Sequence, residues 1–301
     1  MQEKKVKNRF NYKNSLILDF DGSNHANTEV ERIDLRSFEE SVRYYATDNT
    51  MKKLEYFVAE KIRGRKVFFI GSGDFHHISY LLIKNSTYKN LHVVVFDNHP
   101  DNMIFPLSIH CGSWVYWASK LPNVSKVSVI GITSEDVSGI NILQNHYSVM
   151  RSGKVNYYCF RRLPKFFLKL SLGHARDIRE NKNDLISFFR GEFNSNEPVY
   201  LSIDKDVLSS DVVLSNWDQG LMSENDLLES IKFFLPNIVS ADICGDISLY
   251  NFSGLLKRIF YKIDGCGGMI DNIEAHIKKQ NLINLEILSI LKGISELPPA
   301  F

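Results

Sequence analysis

Short apolar runs with no polar face recur along the chain, at residues 15–20, 66–70, 93–97, 126–131, 155–160, 199–204 and 237–243. Each is the length of one strand, and a strand apolar at successive positions buries both faces. Between them lie stretches whose apolar residues recur at helical spacing. One covers residues 51–63, with Leu54, Phe57 and Val58 on one side and Asp48 placed to cap it. A second opens near His76 and continues through Ile78, Leu81, Leu82 and Ile83, and others cover residues 183–190, 224–234 and 269–291. Doubly buried strands alternating with helices predict an α/β fold, a parallel sheet covered on both sides. In such sheets ligands bind beyond the carboxyl ends of the strands.

No repeat, low-complexity segment or Pro/Gly linker interrupts this pattern, so residues 1–301 are read as one domain. With 44% hydrophobic and 24% charged residues the chain can bury a large core. Its net charge of +1 offers no general attraction to nucleic acid or an anionic membrane. No apolar run approaches the roughly 20 residues that span a bilayer. Residues 1–15 carry lysines without the apolar segment of a secretory signal. The cysteines, Cys111, Cys159, Cys244 and Cys266, form no C-x-x-C pair. Reduced thiols in a cytoplasmic protein are the simplest expectation.

The ends of three runs carry the chemistry. Val93-Val94-Val95-Phe96 empties into Asp97-Asn98-His99-Pro100-Asp101. Side chains two apart on an extended chain share a face, so Asp97 and His99 point together. Leu201-Ser202-Ile203 leads likewise into Asp204-Lys205-Asp206, and Gly71-Ser72-Gly73-Asp74-Phe75 delivers His76 and His77 to a helix start. Five of the nine histidines lie between residues 76 and 110; a solvated surface does not explain such clustering. Taken singly, an Asp-x-Asp pair is ordinary loop chemistry and a histidine at a helix start is usually structural. Converging carboxylates, however, must take up protons unless cations neutralise them. Asp97, Asp101, Asp204 and Asp206 bring four negative charges, which two divalent ions would balance, with His76 and His99 neutral. Oxygen-rich ligands with imidazoles suit Mn²⁺ better than thiolate-rich zinc sites. A metal pair about 3.5–4 Å apart can hold a bridging hydroxide at neutral pH.

The motifs G-x-x-H, D-x-H-x-D and S-x-D-x-D, in this order at strand ends, make residues 67–246 resemble the arginase-like ureohydrolase superfamily. The resemblance implies a three-layer α/β/α fold with a mainly parallel, about eight-stranded sheet and two Mn²⁺ ions. By motif position, His76, Asp97, Asp101 and Asp204 would hold one ion. Asp97, His99, Asp204 and Asp206 would hold the other. Phe75 breaks the family's usual G-G-D-H-S; a glycine three residues before the ligand favours His76, with His77 the alternative. The family's histidine–glycine pair after the D-x-H-x-D loop is matched by His110-Cys111-Gly112, which makes His110 the candidate proton shuttle.

Several departures concern substrate. Where arginases carry a polar loop gripping the amino acid's charged ends, this chain has Asn102-Met103-Ile104-Phe105-Pro106-Leu107. Gly245 stands where a glutamate usually binds the guanidinium; Asp246, Asp218 and Asp74 are candidate replacements. Ser209 replaces the third aspartate of D-x-D-x-x-D, and Asn216-Trp217-Asp218-Gln219-Gly220 replaces a proline/glycine loop. The variants G-S-G-D-F-H-H, F-D-N-H-P-D, H-C-G-S-W and N-W-D-Q-G resemble a divergent bacterial branch that includes peptide arginases. The resemblance implies a Mn-dependent hydrolase converting arginine residues of a ribosomally made precursor peptide to ornithine and urea. The alternatives are hydrolysis of another guanidine, amidine or acetylated amine, or a metal-bearing binding protein without catalysis. Trp114 and Trp117 are read as packing residues, the run at 161–165 as a solvated basic face, and the C-terminal leucine pattern as a possible subunit contact in a homo-oligomer.

Overall fold

Apolar runs without a polar face can be buried only between two layers, and the chain folds accordingly. The computed structural model describes residues 14–25, 29–193, 196–264 and 272–292. In chain order the strands are β1 (Ser15–Asp19), β2 (Glu31–Asp34), β3 (Tyr45–Ala46), β4 (Val67–Phe69), β5 (Leu91–Phe96), β6 (Ile109–His110), β7 (Val124–Ile132), β8 (Val155–Cys159), β9 (Ala175–Asp177), β10 (Val199–Asp204) and β11 (Ile238–Cys244). Nine of them form one sheet, ordered β2-β1-β4-β11-β10-β5-β7-β8-β9. Every neighbouring pair in it is parallel. β3 and β6 make a separate antiparallel ladder.

Alternate residues of each strand feed opposite cores. Along β5, Val93 and Val95 enter one core while Val94 and Phe96 enter the other. Helices Asp48–Ile62, Ile78–Lys84 and Trp114–Ser119 cover the first face. Helices Leu185–Glu192, Glu224–Phe234 and Ile273–Leu291 cover the second. This is the expected three-layer α/β/α arrangement, with nine strands rather than about eight. The unforeseen strands, β2 and β9, lie at the two edges and bury only Ile33 and Ala175 respectively, so neither carries an apolar run. At the first helix, Thr47 and not Asp48 is the cap, its hydroxyl accepting from the Thr50 amide. The helix expected to open near His76 starts at Ile78, after a tight turn over Gly73–Phe75.

Ile287, Leu288 and Leu291 of the last helix are buried in the second core, so that apolar face is used within the chain. Residues 269–271 of the stretch expected to be helical, Cys266, and most of the N-terminal segment lie outside the described residues. Among the described residues no helix is long and apolar enough to cross a membrane. Cys111, Cys159 and Cys244 are buried thiols.

One buried group gives the fold a pH dependence. His92 on β5 is joined to the Ser128 hydroxyl at 2.9 Å; burial, reinforced by the Lys126 charge, pushes its pKa down to about 3. Below about pH 6.5 the unfolded chain binds a proton here that the native chain refuses. This residue's contribution is therefore lost as pH falls from about 6.5 towards 3, by up to roughly 1.4 kcal/mol per pH unit. Urea denaturation at stepped pH should show a shallower acid slope in His92→Gln than in the parent.

Candidate active site

The four central strands, β4, β11, β10 and β5, end side by side and deliver the titratable residues singled out from the sequence. β5 is followed by Asp97, whose carboxylate accepts from the His99 amide at 2.7 Å. β10 closes with Asp204, which accepts from the Asp206 amide at 3.1 Å in the same manner. Such i→i+2 bonds are characteristic of Asp at a turn and curl both loops over the strand ends. Asp101 adopts a left-handed backbone (φ 47°), one of the few residue types that tolerates it. Trp114 Nε1 fixes its carboxylate at 2.6 Å, so this buried indole, read as packing, also positions a site residue. Gly73 leaves room for Asp204, because a Cβ there would lie 2.7 Å from Oδ2.

The structure brings His76, Asp97, His99, Asp101, Asp204 and Asp206 together. His76 Nδ1 lies 3.2 Å from Asp97, 3.1 Å from Asp101 and 3.5 Å from Asp204. His99 Nδ1 lies 2.9 Å from Asp206 and 3.6 Å from Asp97. His77, the alternative to His76, is buried away from these carboxylates, with neither ring nitrogen in hydrogen-bond geometry. Behind His76, its Nε2 meets the Ser202 hydroxyl at 2.9 Å. Ser202 and Tyr200 in turn donate to Asp242 at 2.7 and 2.6 Å. This orienting chain was not foreseen, although alternation along β10 and β11 places Tyr200, Ser202 and Asp242 on the face that carries Asp204.

The donor set fits divalent cations. Asp97 Oδ2 is buried without a hydrogen-bond partner, although it faces His76. Burial, then the Asp97 charge, pushes Asp101 up to about 8. Burial, then the Asp204 and Asp97 charges, pushes Asp206 well above the usual carboxylate range. Without added positive charge the cluster can stay ionised only in part. His76, Asp97 and Asp101 form one group of ligand atoms close enough to share an ion, and Asp97, His99 and Asp206 form a second.

A cavity of ≈ 800 Å³ opens above the cluster. His110 lines it, its Nδ1 accepting from the Gly112 amide at 2.8 Å and its ring meeting Tyr44 edge-on. Burial, then the Lys257 charge, pushes its pKa down to about 3. The three acidic residues proposed for the guanidinium are placed differently. Asp74 is buried and taken up by Arg43 Nη1 at 2.6 Å, with Trp217 Nε1 at 3.0 Å. Asp246 is buried against Lys205 Nζ. Neither lines the cavity; Asp246 neutralises Lys205, and Asp74 shares the Arg43 guanidinium with Asp21 and Glu39. Asp218 does line it, but its Oδ1 meets His99 Nε2 at 2.7 Å, the carboxylate–imidazole contact that orients a ligating histidine. Gly245 has φ 84°, and a Cβ there would fall 2.4 Å from Asp204 Oδ1, so the site has no space for a side chain at that position.

Sequence reasoning missed the acidic and aromatic walls. Glu135, Asp136 and Asp264 line the cavity with Trp217, whose ring stands edge-on to His99. Glu135 is engaged by Arg161, and Asp264 accepts from Tyr44 Oη. Burial, opposed by the bond from Tyr44 and supported by the Asp136 charge, leaves the Asp264 carboxyl above its usual range. None sits in a motif; each reaches the cavity from a loop or helix end. The apolar loop after Asp101 contributes Met103 to the lining and stacks Phe105 obliquely on His110 at 4.7 Å, while Ile104 and Leu107 face solvent.

Imidazoles and carboxylates gathered at the central strand ends of a parallel α/β/α sheet are the hallmark of the ureohydrolase class. In fold, the chain is similar to the arginase of Bacillus cereus, at a TM-score of 0.51 and 15% identity, covering 81% of this chain and 77% of that one. It is also similar to the agmatine ureohydrolase of Thermoplasma volcanium, at a TM-score of 0.50 and 14% identity, covering 97% and 96%. An uncharacterized protein of Thermotoga maritima is 31% identical over 208 residues, 69% of this chain and 68% of that protein. Residues 11–244 match the arginase family, and the chain belongs to it: an arginase-family hydrolase, in a family that acts on C–N bonds of amidines.

Proposed function

We propose that this chain is a Mn²⁺-dependent peptide arginase, converting arginine side chains of a precursor peptide to ornithine and urea. The observation that carries the reading is an acid-lined cavity, set over the carboxylate–imidazole cluster, with no lysine or arginine among the described residues that line it. Asp136, Asp218 and Asp264 attract a guanidinium. Met103, Leu249 and Ile263 also line it, and the carboxylate of a free amino acid's charged ends would find no lysine or arginine there. A side chain hung on a peptide backbone has no such ends.

His76, Asp97, Asp101 and Asp204 would hold one cation, and Asp97, His99, Asp204 and Asp206 the other. When bound, such a pair supplies a water of lowered pKa as nucleophile for the guanidinium carbon. The Gly112 amide donates to His110 Nδ1, so the neutral ring keeps its proton on Nε2. With a depressed pKa it stays in that form at neutral pH: Nε2–H can hydrogen-bond the leaving ornithine nitrogen, and the ring must first gain a proton before it can transfer one. Asp218 holds His99 with Nδ1 turned towards Asp97 and Asp206, and Trp217 closes the wall beside it.

The test is incubation of manganese-loaded protein with arginine-containing precursor peptides, reading urea release and the mass of each arginine. Ornithine-mass products with little turnover of free arginine are expected. Urea from free arginine alone would overturn the peptide reading, and deacetylation without urea would favour the acetylated-amine alternative. His110→Ala should lower turnover about 10²–10⁴-fold with metal content by elemental analysis unchanged.

A further inference from the structure

A third group of ligand atoms remains unused by this reading. Cys244 closes β11 directly beside Asp204 on β10, the two being partners in the parallel register. Side chains paired in this way leave the sheet on the same face, and the Cys244 thiol donates to Asp204 Oδ2 at 3.3 Å. His76, Asp204 and Cys244 offer a nitrogen, an oxygen and a sulfur all within 4.8 Å of one another, and all three residues are buried. This group adjoins the first one through His76. Asp97 Oδ2, buried and without a hydrogen-bond partner, faces His76 Nδ1 at 3.2 Å, the nitrogen that also faces Asp204. The backbone keeps the thiol there: Gly245, with φ 84°, turns the chain immediately after Cys244 and lets the strand end lie flat on Asp204 and Lys205.

We propose that Cys244 Sγ is a ligand of the cation held by His76 and Asp204, making that position a mixed nitrogen–oxygen–sulfur site. The proposal rests on the reading that these clusters hold metal. Binding exchanges the thiol proton for the cation: the S–H bond breaks, a sulfur–metal bond forms, and the proton leaves to solvent. Sulfur is a soft donor, so the His76 position should prefer Co²⁺ or Zn²⁺ over Mn²⁺ more strongly than the all-oxygen-and-nitrogen position around His99.

Cobalt is the probe, because a thiolate ligand gives Co²⁺ an intense near-ultraviolet charge-transfer band that oxygen and nitrogen ligands do not. The full chain, stripped of metal and titrated with Co²⁺, should show this band. It should survive in Cys111→Ser, which removes a thiol that lines the cavity, and vanish in Cys244→Ser while Co²⁺ still binds. In competition, Cys244→Ser should lose at least about tenfold in affinity for Co²⁺ and less for Mn²⁺, a tenfold change being about 1.4 kcal/mol. If the Cys244 variant does not fold, X-ray absorption at the cobalt edge of the parent and Cys111→Ser proteins reads sulfur in the coordination shell directly. Two bound cations with no sulfur signal, or a band that persists in Cys244→Ser, would overturn thiol ligation and leave the metal reading intact. A chain that binds no cation overturns the metal reading itself.

Discussion

Asp97→Asn should abolish urea release, by about 10³-fold or more, and remove at least one cation per chain. The size follows from its position. Asp97 reaches both imidazoles, His76 at 3.2 Å and His99 at 3.6 Å, so losing its charge affects both proposed cations. Metal assistance contributes several kcal/mol to such transition states, and each 1.4 kcal/mol is a factor of ten in rate. The metal-free variant should be no less stable than the metal-free parent, because the substitution removes one charge from a crowded set of carboxylates. The parent should gain about 2.7 kcal/mol when Mn²⁺ is present at a hundred times its Kd, and the variant much less. Thermal unfolding with and without Mn²⁺, alongside metal analysis, reads both effects. Equal metal content and equal stabilisation in the two proteins would remove Asp97 from the site.

Lys205→Met should produce the largest loss of stability, about 3–5 kcal/mol. Lys205 separates Asp204 from Asp206 and turns away from the cavity, wholly buried, to meet Asp246 and the Asn284 carbonyl oxygen at 2.8 Å. Asn284 Nδ2 completes the contact by donating to Asp246 at 3.1 Å. Removing the ammonium leaves Asp246 as an uncompensated buried charge, which costs far more than the pair contributes when intact. The double variant Lys205→Met/Asp246→Leu should recover most of the loss. Urea denaturation of the three proteins measures the difference. A single variant within 1 kcal/mol of the parent, by contrast, would mean that Asp246 finds another partner or a proton.

The layered fold was legible because its central strands are buried on both faces and therefore read as uninterrupted apolar runs. β10, at residues 199–204, needed no tertiary information at all. The edges were not legible for the same reason: β2 and β9 are mostly wet, and strands of three to four residues with one buried side chain each carry no periodicity. Residues that meet through short local spacing, such as Asp97 with His99 and Asp204 with Asp206, could also be seen in sequence. Partners supplied by distant segments could not. Asp74 and Asp246 were reasonable candidates for a cation because both are acidic and near motifs. The cations they serve, Arg43 and Lys205, are 31 and 41 residues away in sequence. Asp136 and Asp264 reach the cavity only because a mid-chain turn and the end of helix Leu255–Ile263 come together over the sheet, and nothing in their neighbours announces it.

The sheet order has a consequence for how the protein is made. β11, last of the strands in sequence, lies in the middle of the sheet between β4 and β10. Until residues 238–244 leave the ribosome, β2-β1-β4 and β10-β5-β7-β8-β9 are two separate half-sheets, each presenting an open hydrogen-bonding edge at what will become the centre. Such edges invite pairing with other chains, and assembly that waits for a late, distant strand is slow. The nascent chain thus carries Asp97, Asp204 and His76 on two unjoined pieces. The cation proposed at His76 would therefore find its full set of ligands only after synthesis of the last strand, when its insertion zips the halves together and completes the pocket in the same event.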